Sequence, residues 1–338
     1  MGCGASVGNG RFSTDLQRDV KDVLDFLNVV EGYPCLYGNA VVLQRAIRRY
    51  EEVWLPLLAR VPSKADRLAL VPPLDVEWVW HCHLLAPTAY RRDVQRVLGK
   101  EFIPDHKVPS AANRAKGREA ARALWPAASG EPFDIEADLL QAPARADAAP
   151  FEGAGPRPTS IEYDLAAAAG RQMAFNYQVC YSPQYYDKKF IRAACRRYSK
   201  FLTLKKRHPS GFWVPTYDID IMWHTHQLRH SAYVKDTQGY LGSILPHDDS
   251  VNDRSEGSKL SDSWKATQSK WKEEFGECGP HMPGGMWRGN PTLAEWALRP
   301  ELLRQLEAAA AAASAAPRGA DAAGCATRQH PAPCRAAD

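Results

Sequence analysis

A chain of 338 residues has room for two ordinary domains, or one large one, with a sizeable core. Its 45% apolar and 24% charged residues are those of a soluble globular protein. The net charge of +4 lies partly in an Arg-bearing tail and gives no sign of nucleic-acid binding through bulk charge. Eight scattered cysteines (3, 35, 82, 180, 195, 278, 325 and 334) form no CxxC pair, and no secretory signal precedes them. They read as reduced thiols in the cytosol. No apolar run approaches the roughly 18 residues that a membrane-spanning helix requires.

Residues 1–12 read as flexible, and their first six, "MGCGAS", fit an N-myristoylation signal. Gly2 is the acceptor after Met removal, Ser6 stands where the motif requires it, and Cys3 is placed for a second acyl chain. One myristoyl chain holds only marginally, so a palmitoyl group on Cys3 is the second signal that stable anchoring needs. The expected location is cytoplasmic, peripheral on the cytoplasmic face of a membrane.

A helical repeat is expected over 13–103. Leu16, Val20, Val23, Leu24, Leu27 and Val30 keep a 3.6-residue period, with Ser13 or Thr14 as cap. A second helix is expected over 41–57, where Ile47, Tyr50, Trp54 and Leu57 share a face. Pro72-Pro73 and Pro87 can each open a further short helix. Residues 104–158, rich in Ala and Pro, read as a connector whose one patterned island is "EPFDIEADLL". A second repeat is expected over 159–244, opening with Thr159 or Ser160 as cap. A loop and helix extension follows over 245–300, with an amphipathic helix near 261–275, and then an Ala-rich low-complexity tail over 301–338.

The two halves match each other. "VPPLDVEWVWHCHLLAPTAYRRDVQRVLG" (71–99) lies over "VPTYDIDIMWHTHQLRHSAYVKDTQGYLG" (214–242) without a gap. Both keep the Asp, the Trp-His-x-His, the Tyr, a second Asp and the final Leu-Gly. Upstream, "AIRRYEEVWLPL" (46–57) matches "ACRRYSKFLTLK" (194–205). The fold class expected is therefore mostly α, a duplicated helical module with an irregular C-terminal extension.

Several of these stretches resemble a known family. "AIRRYEEVWLPLL", "VPPLDVEWVWHCHLLAPTAYRRD", "RQMAFNYQV", "VPTYDIDIMWHTHQL" and "HDDSVNDRSEGSKL" look like the N-terminal domain of the plant glycine-rich domain-containing proteins, in collinear order over roughly residues 15–290. The resemblance implies a helical domain of plant or algal proteins linked to growth and stress responses. It brings no established enzymatic activity. Longer members carry an RNA-binding segment and a glycine-rich stretch, whereas this chain ends in an Ala-rich tail.

Two His at i and i+2 diverge by about 200° on a helix, so His81 and His83 do not clamp one ion together. Glu77 with His81, and Asp220 with His224, stand four apart and share a face. If the repeats pack with those faces together, these four residues make a ligand set for zinc or iron. Asp75, His83, Asp218, His226, His247, Asp248 and Asp249 are possible additions. The competing reading is structural: Trp80 and Trp223 fill the core, and a neighbouring His donates to Asp75 or Asp218 of the same turn. Cys82 adds little, because Thr225 replaces it in the second copy.

There is no nucleophile elbow, P-loop or Rossmann fingerprint. "KKRH" (205–208) and "RRDVQR" (91–96) read as solvated faces rather than nucleic-acid patches. The first functional reading is a non-enzymatic interaction or regulatory protein, membrane-anchored and binding protein partners. The second is a metal-dependent enzyme, hydrolase or oxygenase, using the Trp-His-x-His elements. RNA binding is a third, resting on the resemblance alone.

Overall fold

A computed structural model describes residues 12–99, 101–126, 129–144, 159–277, 279–280 and 284–289. The acylation motif at Gly2 and Cys3 lies outside these residues. The described chain is mostly helical.

Helix α1 (Leu16–Glu31) is capped by Asp15, whose carboxylate accepts from the Arg18 amide. Ser13, expected as a cap, bonds instead to Asp236 far along the chain. The short α2 (Cys35–Gly38) precedes a rod made of α3 (Ala40–Arg48), a π-helical turn over Arg49–Trp54, and α4 (Leu55–Arg60). After α5 (Lys64–Ala69), α6 (Leu74–Leu84) begins behind Pro73 and α7 (Pro87–Leu98) begins on Pro87. The stretch expected as a connector contributes α8 (Ala111–Leu124) and α9 (Glu136–Gln141), and it is packed in place: the Val71 amide donates to the Gly117 carbonyl at 3.2 Å.

Helix α10 (Leu165–Cys180) takes Asp164 as its cap, not Thr159 or Ser160, which bond to Glu51. Then follow α11 (Lys188–Arg207), α12 (Tyr217–Leu228), α13 (His230–Leu241) and α14 (Lys259–Phe275).

The duplication reaches beyond the elements matched by sequence. Helices α1 and α10 have the same length, both carry Asp caps, and both bring a Phe to the first His of a Trp-His-x-His element. Phe26 lies 5.6 Å from His81 and Phe175 lies 4.3 Å from His224, ring to ring. The rod α3–α4 corresponds to α11, α6 to α12 and α7 to α13. Helix α14 takes the place of α8, since the Val214 amide donates to Thr267 Oγ1 as the Val71 amide does to Gly117.

The repeats interlock. The segment before α1 docks on the second repeat, where Phe12 stacks on Tyr198 at 5.4 Å. The segment before α10 docks on the first, where the Tyr163 amide donates to Asp93 at 3.0 Å and the Tyr163 ring stacks on His83. Beyond these entries α1 packs on α11 and α12, while α10 packs on α2 and α6.

Helices α6 and α12 end up at the centre. Every residue of α6 is buried, and in α12 only Tyr217 and Asp220 keep partial exposure. Helices buried all round must satisfy their polar groups internally. Asp75 receives Arg49 at 2.9 Å, and Asp218 receives Arg197 in the same way, also with buried partners. The carboxylates proposed from sequence as histidine partners are therefore committed to arginine. Removing one member of a buried pair leaves the other charge uncompensated. Arg49→Met is expected to lower the unfolding free energy by about 3–5 kcal/mol, measured by urea denaturation.

Candidate metal centre in the second repeat

The second His of each motif belongs to the core. His83 Nδ1 lies 3.1 Å from the Tyr50 hydroxyl and its Nε2 lies 3.5 Å from Asp93. His226 Nδ1 lies 3.1 Å from the Tyr198 hydroxyl and its Nε2 lies 3.2 Å from Asp236. With Nε2–H pointing at the carboxylate, Nδ1 accepts from the tyrosine. Burial pushes both histidines below their ordinary value, and the aspartates oppose that only in part.

The tryptophans anchor the loops that follow α7 and α13. Trp80 Nε1 donates to the Tyr90 hydroxyl at 3.1 Å, which donates to the Pro104 carbonyl at 2.7 Å. Trp223 Nε1 donates to the Tyr233 hydroxyl at 2.8 Å, which donates to the Leu245 carbonyl at 2.7 Å. Each anchored loop then lays a histidine against its tryptophan, His106 at 4.4 Å and His247 at 4.7 Å between ring centroids. Each repeat thus gathers one carboxylate and two histidines: Glu77, His81 and His106 in the first, Asp220, His224 and His247 in the second. His106 was missed by the sequence reading. Its signal was the "PDH" of residues 104–106, which sets His106 two residues out of the register that aligns His81 with His224.

The two sets then differ. In the first, Arg114 of α8 grips both Glu77 oxygens at 2.6 and 3.1 Å, and His106 Nε2 lies 3.3 Å away. Burial alone would raise the Glu77 pKa, but the guanidinium and His106 outweigh it and hold it down to about 2. An internal cation thus neutralises the carboxylate. His81 stacks on Trp78, and burial lowers its pKa to about 3, so it is neutral.

In the second set no arginine among the described residues pairs with Asp220. The loop that leads to α14 (248–258) is longer than the short approach to α8. Asp220 Oδ1 lies 3.5 Å from both His224 Nε2 and His247 Nε2. Burial would lower the His247 pKa, but the facing Asp220 carboxylate outweighs that and raises it. The same spacing leaves room for an ion among the three groups. Among the described residues, Asp220, His224 and His247 form a group whose ligand atoms all lie within 4.8 Å of one another. His224 is only 1% exposed, yet neither of its ring nitrogens has a hydrogen-bond partner, nor does Asp220 Oδ1.

His247 is held from the other repeat. Its Nδ1 lies 2.9 Å from the carbonyl of Leu85, just past the end of α6, which also accepts from Gln227 at 3.2 Å. A carbonyl can only accept, so Nδ1 carries the proton and Nε2 faces Asp220. This is the outer-shell contact that orients metal-binding histidines in known sites. Burial drives His224 well below its ordinary value, helped by His247 and His81, so it presents a neutral lone pair.

The structure divides the four residues grouped by sequence. Asp220 and His224 sit at the candidate centre with His247. Glu77 is committed to Arg114 and His106, and His81 borders the centre only closely enough to influence His224. Asp248 bonds to Ser250, and Asp249 receives Arg171 and Gln172. The centre opens onto a cavity of about 1120 Å³ walled by Phe175, Trp213, Tyr217 and Lys205. Lys205, expected on a solvated face, instead lies half-buried over the Phe201 and Trp223 rings.

Fold and site define a duplicated, interlocked all-helical domain with one metal-competent triad and one arginine-filled counterpart. The chain belongs to the glycine-rich domain-containing protein-like family, whose pattern matches residues 5–93 and 89–236. It is 39% identical over 288 residues to glycine-rich domain-containing protein 2 of Arabidopsis thaliana, covering 82% of this chain and 35% of that one. It is 35% identical over 277 residues to glycine-rich domain-containing protein 1 of the same plant, covering 78% and 32%. The chain thus spans about a third of the length of these curated relatives. No solved structure matches it.

The Glu77 pairing has a pH signature. A carboxylate whose folded pKa is depressed from 4.5 to about 2 contributes stability that is complete above the unfolded value and lost as pH falls through the folded one. Between about pH 5 and pH 2 the wild type should lose up to roughly 3 kcal/mol more than Glu77→Gln, measured by urea unfolding.

Proposed function

We propose that this domain is a metal-dependent module in which Asp220, His224 and His247 bind zinc or iron at the floor of the cavity. The supporting observation is the convergence of three ligand atoms: His247 is oriented by the Leu85 carbonyl, and its Nε2 and the Nε2 of His224 each lie 3.5 Å from Asp220 Oδ1. A structural zinc site closes itself with four protein ligands, whereas three ligands leave positions for water or substrate. Two histidines and one carboxylate with open positions also suit non-haem iron. The reading is therefore a metal-dependent enzyme of hydrolase or oxygenase type.

Purified protein is expected to carry close to one equivalent of zinc or iron by mass spectrometry of the metal. Asp220→Asn and His224→Ala should each weaken binding by at least about tenfold, while Glu77→Gln retains it. Clearly substoichiometric metal in the wild type, after supplementation with both ions, would rule the centre out.

Membrane attachment is a separate proposal, supported by the "MGCGAS" start with Gly2 as myristoyl and Cys3 as palmitoyl acceptor. Gly2→Ala should move the protein from the membrane to the soluble fraction of a cell lysate. Unchanged fractionation of that variant would contradict the anchor.

A further inference from the structure

The cavity beside the triad has a chemistry of its own. Five basic side chains line it (Arg171, Lys205, Lys206, Arg254 and Lys259) against three acidic ones, Asp220, Asp248 and Asp249. One of the acids is the candidate metal ligand, and the other two are spent on Ser250 and on the Arg171–Gln172 pair. Arg254 is itself committed to the Tyr217 hydroxyl and the Trp287 ring, and Lys259 lies over Phe212. Lys205 is different. Its ammonium is half-buried on the faces of Phe201 and Trp223, and it has no carboxylate partner among the described residues. A metal at the triad would make the cavity more positive still.

Ammonium groups are strongly hydrated, and burying one without a counter-ion costs free energy that the cation–π attraction of the indole and phenyl faces offsets only in part. Consistent with this, burial lowers the Lys205 pKa to about 8 with no opposing carboxylate. The indole it covers is the same ring that His247 packs against, so one tryptophan separates this cation from a candidate ligand. Trp213, Phe212 and Trp287 supply apolar wall on the rest of the cavity.

Resting on the metal reading above, we infer that the cavity binds an organic anion, with its carboxylate or phosphate on Lys205 beside the metal and its apolar body against the aromatic wall. Neutral ligands would leave Lys205 unpaired, and simple inorganic anions would leave the wall uncovered. Selectivity thus requires both parts on one molecule.

The test uses benzoate and phenyl phosphate as probes, with benzyl alcohol as the neutral control. Protein loaded with Co(II) reports ligand entry through its visible absorption. At least one of the two anions should bind at least about tenfold more tightly than benzyl alcohol. The comparison of the two anions tells carboxylate from phosphate. Lys205→Met should weaken that anion by about tenfold or more while cobalt stoichiometry is unchanged, and Lys205→Arg should keep most of the affinity. Equal affinity in Lys205→Met, or equal binding of benzyl alcohol, would overturn the inference. If cobalt fails to bind, the metal reading fails by itself. Anion binding is then read from the fluorescence of the cavity tryptophans with the same variants, and its loss in Lys205→Met still decides the matter.

Discussion

Two helices at the centre of this domain are almost wholly buried, and each carries acids and histidines. Everything else follows from where those groups find partners. Asp75 and Asp218 take arginines from the rod and from α11. His83 and His226 take a tyrosine on one side and an aspartate on the other. Because unpaired buried polar groups are expensive, such partners fix the packing of the surrounding helices as firmly as apolar contacts do. Against that rule His224 and Asp220 Oδ1 lack hydrogen-bond partners, as do both ring nitrogens of His81 and of His106 in the first repeat. A cation among Asp220, His224 and His247 would take one nitrogen of each histidine and one oxygen of the carboxylate.

The first repeat shows how the same geometry behaves once it is filled from within. Arg114 supplies a permanent positive charge to Glu77, and its guanidinium fork matches the carboxylate that a metal would otherwise share. In the second repeat the site opens on the cavity instead. Duplication copied the frame, and the first repeat closes it with an ion pair where the second leaves an open ligand set. The interlocking entries of α1 and α10 matter here, because they bring the end of α6 to the second repeat and set Leu85 on His247.

Much of the fold was legible in the sequence. The gapless match of 71–99 to 214–242, with its Pro starts and Leu-Gly stops, gave the repeat and four of its helices, since those signals are local. The caps of α1 and α10 were misplaced because the Ser13 and Thr159 hydroxyls and the Ser160 amide bond to distant residues, contacts that only the folded chain shows. Helix α8 was hidden by its Ala- and Arg-rich composition, and with it Arg114. The acid-to-histidine spacing of four identified Asp220 with His224 correctly as neighbours on one face. Pairing them with Glu77 and His81 assumed two equivalent faces meeting, whereas the third partner comes from a loop, and loops carry no periodicity.

The central claim is that one ion sits among Asp220, His224 and His247 and none beside Glu77. Anomalous diffraction from crystals grown with zinc, collected at its absorption edge, tests it directly. The account predicts a single strong peak about 2.0–2.2 Å from a nitrogen of each of the two histidines and an Asp220 oxygen. A map with no peak there, or with a peak at Glu77 in place of the Arg114 pair, would contradict it.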